Sequence, residues 1–403
     1  MIRLQPVPLI IVMCLAQVLT LLGLFTFPAL LVDFQGQWGM DNTAAGWIAG
    51  ASFAGYAICV PFLTALTDRM DARIVYIWGT IATALLLAAF SLWAEGFWRA
   101  FILRLASGGA LASTYMPGLR AISDRYQGPG LPRGVAFYTA GFSLGTAISF
   151  WASGELGALL GWRETFALAS GGAGLAALLA IIFLAPVKTE RKTSGPILDF
   201  RPVMRNREAM GYILAYAAHN WELFAFRSWL VAFLAFSASL QPAGTNIWPS
   251  PTAVAGLVAV IAMASSILGG EAANRWGRWH MVSAYMGMSG ILAMLVGFSA
   301  SLPYSAVVLL MCLYSITVQS DSAALTTGAL AAAERGREGA TLGLHALIGF
   351  AGASIGPLGV GLVLDLSGGA DNIFSWGLAF AVMGAGVLLG PLALAFFRPA
   401  RPK

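Results

Sequence analysis

The chain has 403 residues, of which 58% are hydrophobic and only 10% charged, with a formal net charge of +5. Soluble domains carry about 25% charged residues, so a water-soluble fold is excluded and most of the outer surface must face lipid. The positive balance does not point to nucleic acid, because nearly all the basic residues lie in the connections between apolar stretches. Cys14, Cys59 and Cys312 lie in apolar stretches, without metal-ligand or disulfide spacing.

A helix needs about 20 apolar residues to cross the hydrocarbon core. The first such stretch, near 9–32, is too long for the apolar region of a signal peptide and lacks a small-residue cleavage site, so it reads as a retained span. Further stretches follow near 44–66, 74–94, 98–119, 134–154, 165–186, 210–236, 252–273, 279–300, 303–326, 340–364 and 374–397, twelve in all. The runs are continuously apolar rather than alternating, which favours helices over a barrel. With both termini placed in the cytoplasm, 19 Lys and Arg residues fall on that side, and only Arg99 and Arg163 fall on the other. That bias fixes the expected orientation in an inner membrane. The longest polar connection, 187–209, divides the chain into an N-terminal six-helix bundle (1–186) and a C-terminal one (210–403).

An internal repeat supports the division. Thr64-Ala-Leu-Thr-Asp68-Arg69-Met-Asp71-Ala-Arg73 follows the second span, and Gly270-Glu-Ala-Ala-Asn274-Arg275-Trp-Gly277-Arg278 follows the eighth. Both resemble the loop signature of the major facilitator superfamily, Gly-x-x-x-Asp-Arg-x-Gly-Arg-Arg/Lys. The first copy departs at Thr64, Asp71 and Ala72, and the second has Asn274 in place of the acid. Arg104-x-x-x-Gly108-x-Ala110 and Gly161-Trp162-Arg163-Glu164-Thr165-Phe166 are similar to further patterns of that family. The resemblance implies an all-α membrane fold of two pseudo-symmetric bundles that works as a secondary transporter and not as an enzyme. It needs no cofactor or metal, and its expected partners are a small solute, protons and the lipid bilayer, with the protein a monomer.

The resemblance also implies a cytoplasmic gate. Asp68 is expected against the helix start near Gly339, Arg69 against Asp124 and Arg275 against Glu334, with Arg73, Asn274 and Arg278 in the same loops. Small residues four apart in spans two, five, eight and eleven suit close helix contact across the two halves. The Gly-Pro that drug exporters of the family commonly carry in span five is absent from Gly141-Phe-Ser-Leu-Gly145-Thr146.

Ionisable groups inside a bilayer cost about 2.5–3.5 kcal/mol each even on the gentlest scale, so they are functional candidates. Span seven carries His219, Asn220, Glu222 and Arg227, and span ten carries Gln319 and Asp321. An acid near a histidine in a dry cavity makes a proton site. Arg227 and Arg104, from opposite halves, suit a bidentate anion if they converge. His345 and Tyr138 are candidate cavity walls. The expected function is proton-coupled transport of a small anionic solute by alternating access; the alternative is a drug or hydrophobic-compound/proton antiporter.

Overall fold

A computed structural model describes residues 6–128, 130–187 and 199–398. Among these the regular structure is helical throughout. In chain order the helices are α1 (Pro6–Leu21), α2 (Thr26–Ala29), α3 (Leu31–Trp38), α4 (Asn42–Leu66), α5 (Ala72–Trp93), α6 (Gly96–Leu111), α7 (Tyr115–Arg125), α8 (Leu131–Leu160) and α9 (Trp162–Phe183). They continue with α10 (Arg201–Arg205), α11 (Arg207–Ser239), α12 (Pro251–Trp276), α13 (Arg278–Val296), α14 (Tyr304–Ser320), α15 (Ser322–Ala331), α16 (Glu338–Leu366), α17 (Ile373–Val387) and α18 (Leu389–Phe397). Several starts carry the side-chain acceptor that an open helix end requires: Asp41 caps α4, Asn206 caps α11 and Ser250 caps α12.

Ten of these segments are long and apolar enough to cross a membrane, with α14–α15 and α17–α18 each counted as one. The other two expected spans, near 9–32 and 98–119, fall on broken segments. Proline is the cause in both. A helical proline collides with the carbonyl four residues before it and removes a bond donor. Pro28 displaces the turn at residues 22–25, and Pro117 displaces the one at 112–114. Pro391 stands in the same relation to the bend at Leu388, but α14 bends at Asp321 with no proline in the following turn. The expected linker 187–209 is described only in part. It contains α10, and α11 begins earlier than expected, at Arg207. Lys188, Arg191 and Lys192 lie outside the described residues.

Helices α1–α9 pack mainly among themselves, as do α10–α18; the main contacts between the groups are α4 with α16, α8 with α12, and α11 with α2 and α3. These contacts are not spread evenly along the helices. At the end that carries the basic loops, each group has its own core: one around Met13, Tyr76 and Tyr138, the other around Ile213, Met286 and Leu325. At the far end a single core runs through both groups, joining Phe25, Ile48 and Phe53 to Phe224, Leu230 and Val360. The groups therefore splay apart toward the basic loops and are fused at the other end.

Glycines set the fused contact. A methyl on Gly50 would lie 2.1 Å from the Ser354 carbonyl oxygen, and one on Gly361 would lie 2.1 Å from that of Asn42. Backbones this close admit no side chain between α4 and α16. Beside them the Asp365 carboxylate, at the end of α16, accepts from the start of α4: Asn42 N at 3.1 Å, Asn42 Nδ2 at 2.7 Å, Thr43 N at 2.7 Å and Thr43 Oγ1 at 2.6 Å. An acid on the exposed amides of a helix start is favoured by the helix dipole as well as by the bonds.

Candidate functional site

Helix α11 is the most enclosed of the long helices, with 78% of its apolar window buried. It carries four of the predicted polar residues, His219, Asn220, Glu222 and Arg227. Its His219 meets Asp321 at the α14–α15 bend, with Nδ1 2.7 Å from Oδ1 and both side chains shut off from solvent. The approach lies off the line of an ideal hydrogen bond, and both His219 ring nitrogens, Asp321 Oδ1 and the Asn220 amide nitrogen lack a well-aligned partner. Buried polar atoms in native proteins are nearly always paired, so a cluster of unpaired ones marks a place where a proton or a ligand changes the bonding.

Glu222, fully buried, turns elsewhere. Its carboxylate accepts from Ser289 Oγ of α13 at 2.8 Å and from Tyr314 OH of α14 at 2.9 Å. It is hydrogen-bonded without a cationic partner among the described residues and sits inside the second group.

Arg227 lies just over two turns beyond His219 on α11, roughly 12 Å along the helix. Its Nη2 donates to Gln319 Oε1 at 3.4 Å, and its guanidinium lies 5.9 Å from the centre of the Phe25 ring and 5.8 Å from that of Phe224. Phe25 belongs to the first group, so this cation sits where the groups meet. No carboxylate lies within ion-pair distance of it among the described residues. Gln319 and Asp321 are near neighbours on one bend, so the Arg227 and His219 contacts share a structural element.

Arg104 does not join this cluster. It points into the first group, where Nη2 donates to the Leu24 carbonyl at 3.1 Å and to Ser52 Oγ at 2.9 Å. Leu24 is the carbonyl that Pro28 frees by displacing the turn, so Arg104 repairs that break. Ser149 completes the repair by accepting from Phe25 N and donating to the Leu22 carbonyl. A cavity of about 20 Å³ beside Arg104, reached by Thr20, Thr83 and Ser107, has room for a single water. The expected convergence of Arg104 and Arg227 is therefore corrected. Tyr138 is buried in the core of the first group rather than lining a cavity: its hydroxyl lies 2.6 Å from Gln17 Oε1 and 3.1 Å from the Thr114 carbonyl, which Gly118 N already bonds at 2.9 Å.

His345 of α16 is buried. Its Nε2 lies 3.3 Å from Thr326 Oγ1, and its ring stacks on Tyr216 with centres 3.9 Å apart. Tyr216 also lies parallel to His219 at 5.7 Å. Nothing in the sequence singles out Tyr216 beyond its position one turn before His219.

The expected gate contacts are rearranged. Asp124 is bound by Arg120 at 2.9 Å, and Asp68 lies 3.7 Å from the same guanidinium. Arg69 follows α4 in the turn. Gly339 has open space around it, so Asp68 does not reach the start of α16. Glu334 pairs with Arg337 at 3.8 Å while Arg275 lies over Trp276 at 5.6 Å, and Arg278 bonds Asn274 at 3.3 Å. Of the expected contacts only that of Asp68 crosses the cleft, where the groups stand apart; Asp124 and Glu334 are instead taken by Arg120 and Arg337 of their own groups. Arg73 donates to the Ile181 carbonyl at 3.2 Å.

Asp71, a departure from the loop signature, has its own structural role. It caps α5 at Arg73 N, accepts from Arg125 Nη2 on both carboxylate oxygens at 2.8 Å, and receives Val187 N at 2.9 Å. Burial alone would raise its carboxyl. The hydrogen bonds from Arg125, Val187 and Arg73, with the Arg125 charge, instead hold it below the usual carboxylate range.

A family model described as the Major Facilitator Superfamily matches residues 13–357. The chain belongs to the major facilitator superfamily. It is a multi-pass membrane protein with a transporter fold, not an enzyme. Among solved structures it resembles a bacterial homolog of the human lysosomal transporter Spinster, in an inward-facing, unoccupied conformation. That match has a TM-score of 0.74 at 14% identity over 97% of this chain and 95% of the other. It also resembles the nucleoside transporter NupG (TM-score 0.74, 15% identity, 97% and 100% covered). A POT family transporter in complex with 5-aminolevulinic acid is similar as well (TM-score 0.75, 13% identity, 97% and 96% covered). At these identities the likeness is one of fold. No curated protein matches the sequence.

Proposed function

We propose that this superfamily member is a secondary active transporter that moves a small anionic solute across the inner membrane, coupled to protons. Twelve crossings form two six-helix bundles with both termini in the cytoplasm, and the two broken segments complete the count. The observation that carries the anionic substrate is Arg227: a buried guanidinium at the meeting of the two groups, without a carboxylate partner among the described residues. An uncompensated charge there is costly, and a bound carboxylate or similar anion offsets it through bidentate bonds. Alternating access is supported by the splayed basic end and the fused far end, which describe a cytoplasm-facing state. Proton coupling is supported by the His219–Asp321 pair on the bend that also carries Gln319. A proton that loosens His219 from Asp321 moves the segment that holds Arg227. Coupling therefore rests on Asp321 rather than on Glu222, whose carboxylate is occupied by Ser289 and Tyr314.

The test begins with thermal unfolding of the purified protein against monocarboxylates, dicarboxylates, inorganic anions and hydrophobic cations. The strongest stabiliser then goes into counterflow in proteoliposomes with and without a pH gradient. An anion should stabilise, and Arg227→Ala should abolish the effect. Stabilisation by hydrophobic cations alone would favour the efflux alternative and overturn the anionic substrate. Unchanged gradient dependence in Asp321→Asn would overturn the proton role.

A further inference from the structure

Between the two separate cores at the basic end lies a cleft whose inner limit is the ring contact of Tyr56 with Phe350, centres 4.3 Å apart. Past that contact the groups fuse. Helix α11 enters from the basic end, so Tyr216 is met one turn before His219, and His345 on α16 is met at about the same depth. Tyr216 is partly exposed, whereas His219 is fully buried and His345 is only 4% exposed. Its ring lies parallel to both imidazoles, within 17° of each plane. Behind it lie buried ring nitrogens without a well-aligned partner, His219 Nε2 and His345 Nδ1. The two imidazoles are buried behind a ring that is itself partly exposed, so the ring separates them from the cleft.

We propose that Tyr216 is a shutter, a positioning residue that decides when the His219–Asp321 pair exchanges protons with the cleft. The inference rests on the proton-coupled reading of that pair and adds the residue that controls access to it. The groups that face the pair are Tyr216 and Glu222 on α11, Tyr285 on α13 and His345 on α16, while Arg227 and, across the cleft, Tyr56 and Tyr115 face Tyr216 itself. Tyr216 is the one that is both stacked on the histidines and open to the cleft. Rotation of its ring off His345 and His219 needs a change in one side chain only, so access can open without moving the helices. The flat shape of the ring, rather than its hydroxyl, covers the two imidazoles.

The chain has three histidines, and His280 is exposed, which supplies an internal reference. The experiment treats the full-length protein in nanodiscs with diethyl pyrocarbonate and follows each histidine by mass spectrometry. In the wild type His280 should react and His219 and His345 should be protected. Tyr216→Phe keeps the ring and should keep the protection. Tyr216→Ala should raise the His219 and His345 rates by about tenfold or more relative to His280. Tyr216→Leu, which fills the volume without a flat ring, should do so in part, and is read in the same way if the alanine variant does not fold. In proteoliposomes Tyr216→Ala, but not Tyr216→Phe, should shift the pH at which uptake is half-maximal. Equal protection in Tyr216→Ala and wild type overturns the shutter, as does a rise in all three histidines together. Failure of the proton reading is separate: it is the persistence of gradient dependence in Asp321→Asn, and it leaves the labelling rates unaffected.

Discussion

Removing the Asp365 carboxylate should open the far end of the molecule. Four hydrogen bonds join it to Asn42 and Thr43 of the opposite group. A bond to a charged group contributes about 1.5–3 kcal/mol when isolated. These four share one carboxylate that is only part-buried, and they are not additive. The helix-start charge effect adds up to about 2 kcal/mol in a partly buried site. A total of about 2–3 kcal/mol is reasonable, and at 1.4 kcal/mol per factor of ten Asp365→Ala should lower the closed-to-open ratio at that end by roughly 30- to 150-fold. Asp365→Asn keeps one acceptor and should lose about half that free energy. Spin labels at Gly36 and Asp371, both exposed at this end, would report the distance in a background with Cys14, Cys59 and Cys312 replaced by serine. The long-distance population should rise in the order wild type, Asp365→Asn, Asp365→Ala. Coincident distance distributions for Asp365→Ala and wild type would refute the assignment of Asp365 as the latch.

Asp71 makes a pH prediction. Its folded-state pKa lies below the unfolded value, so its stabilisation is present above the unfolded value near 4 and is lost as pH falls through the folded one. Thermal unfolding should therefore steepen below about pH 4 in the wild type. Asp71→Asn should be less stable by about 1–3 kcal/mol at neutral pH and lack that part of the slope. Three glycines separate interface from fold. A methyl at Gly108 would lie 1.7 Å from the Ser52 carbonyl oxygen, inside the first group, so Gly108→Ala should lower the unfolding temperature, at about 1–3 kcal/mol of overpacking. Gly50→Ala forces α4 from α16 and should widen the spin-label distance instead. Gly174 has nothing within 4 Å, and Gly174→Ala should be neutral or stabilising by up to about 1 kcal/mol.

The membrane class, the family and the polar residues of α11 could be read from residue order alone, because long apolar runs and rare charges within them seldom arise outside a membrane. The partners of those charges could not. Periodicity puts His219 and Glu222 on one face of α11, but only the packing of α13 and α14 sends one to Asp321 and the other to Ser289 and Tyr314. The gate pairs failed for a different reason. The Asp68 contact belongs to a closed basic end and is lost in the splayed arrangement, whereas Asp124 and Glu334 are taken by Arg120 and Arg337 within their own groups. A sequence carries both arrangements at once. Asp365 is not legible because one acid at the end of an apolar run resembles an ordinary surface residue; its role depends on α4 starting opposite it.

The helix breaks sort the candidate residues by a single physical criterion. Pro28 and Pro117 interrupt their helices by collision, and each leaves carbonyls that must be paired in a low-dielectric interior. Arg104 and Ser149 pair those of the first break. Arg104 and Tyr138 are both polar groups in apolar spans, and their geometry accounts for them without a substrate. The bend at Asp321 has no proline to cause it. The residues around it are left with unpaired atoms rather than repaired ones. A break caused by a proline, with its freed carbonyl taken by a neighbouring side chain, is architecture. A bend without one, lined by an acid, a histidine and the glutamine that contacts Arg227, is held by interactions that a proton or an anion can change. Broken helices near mid-membrane are where secondary transporters place their sites, and by this criterion the described residues hold one such place, between α11 and the α14–α15 bend.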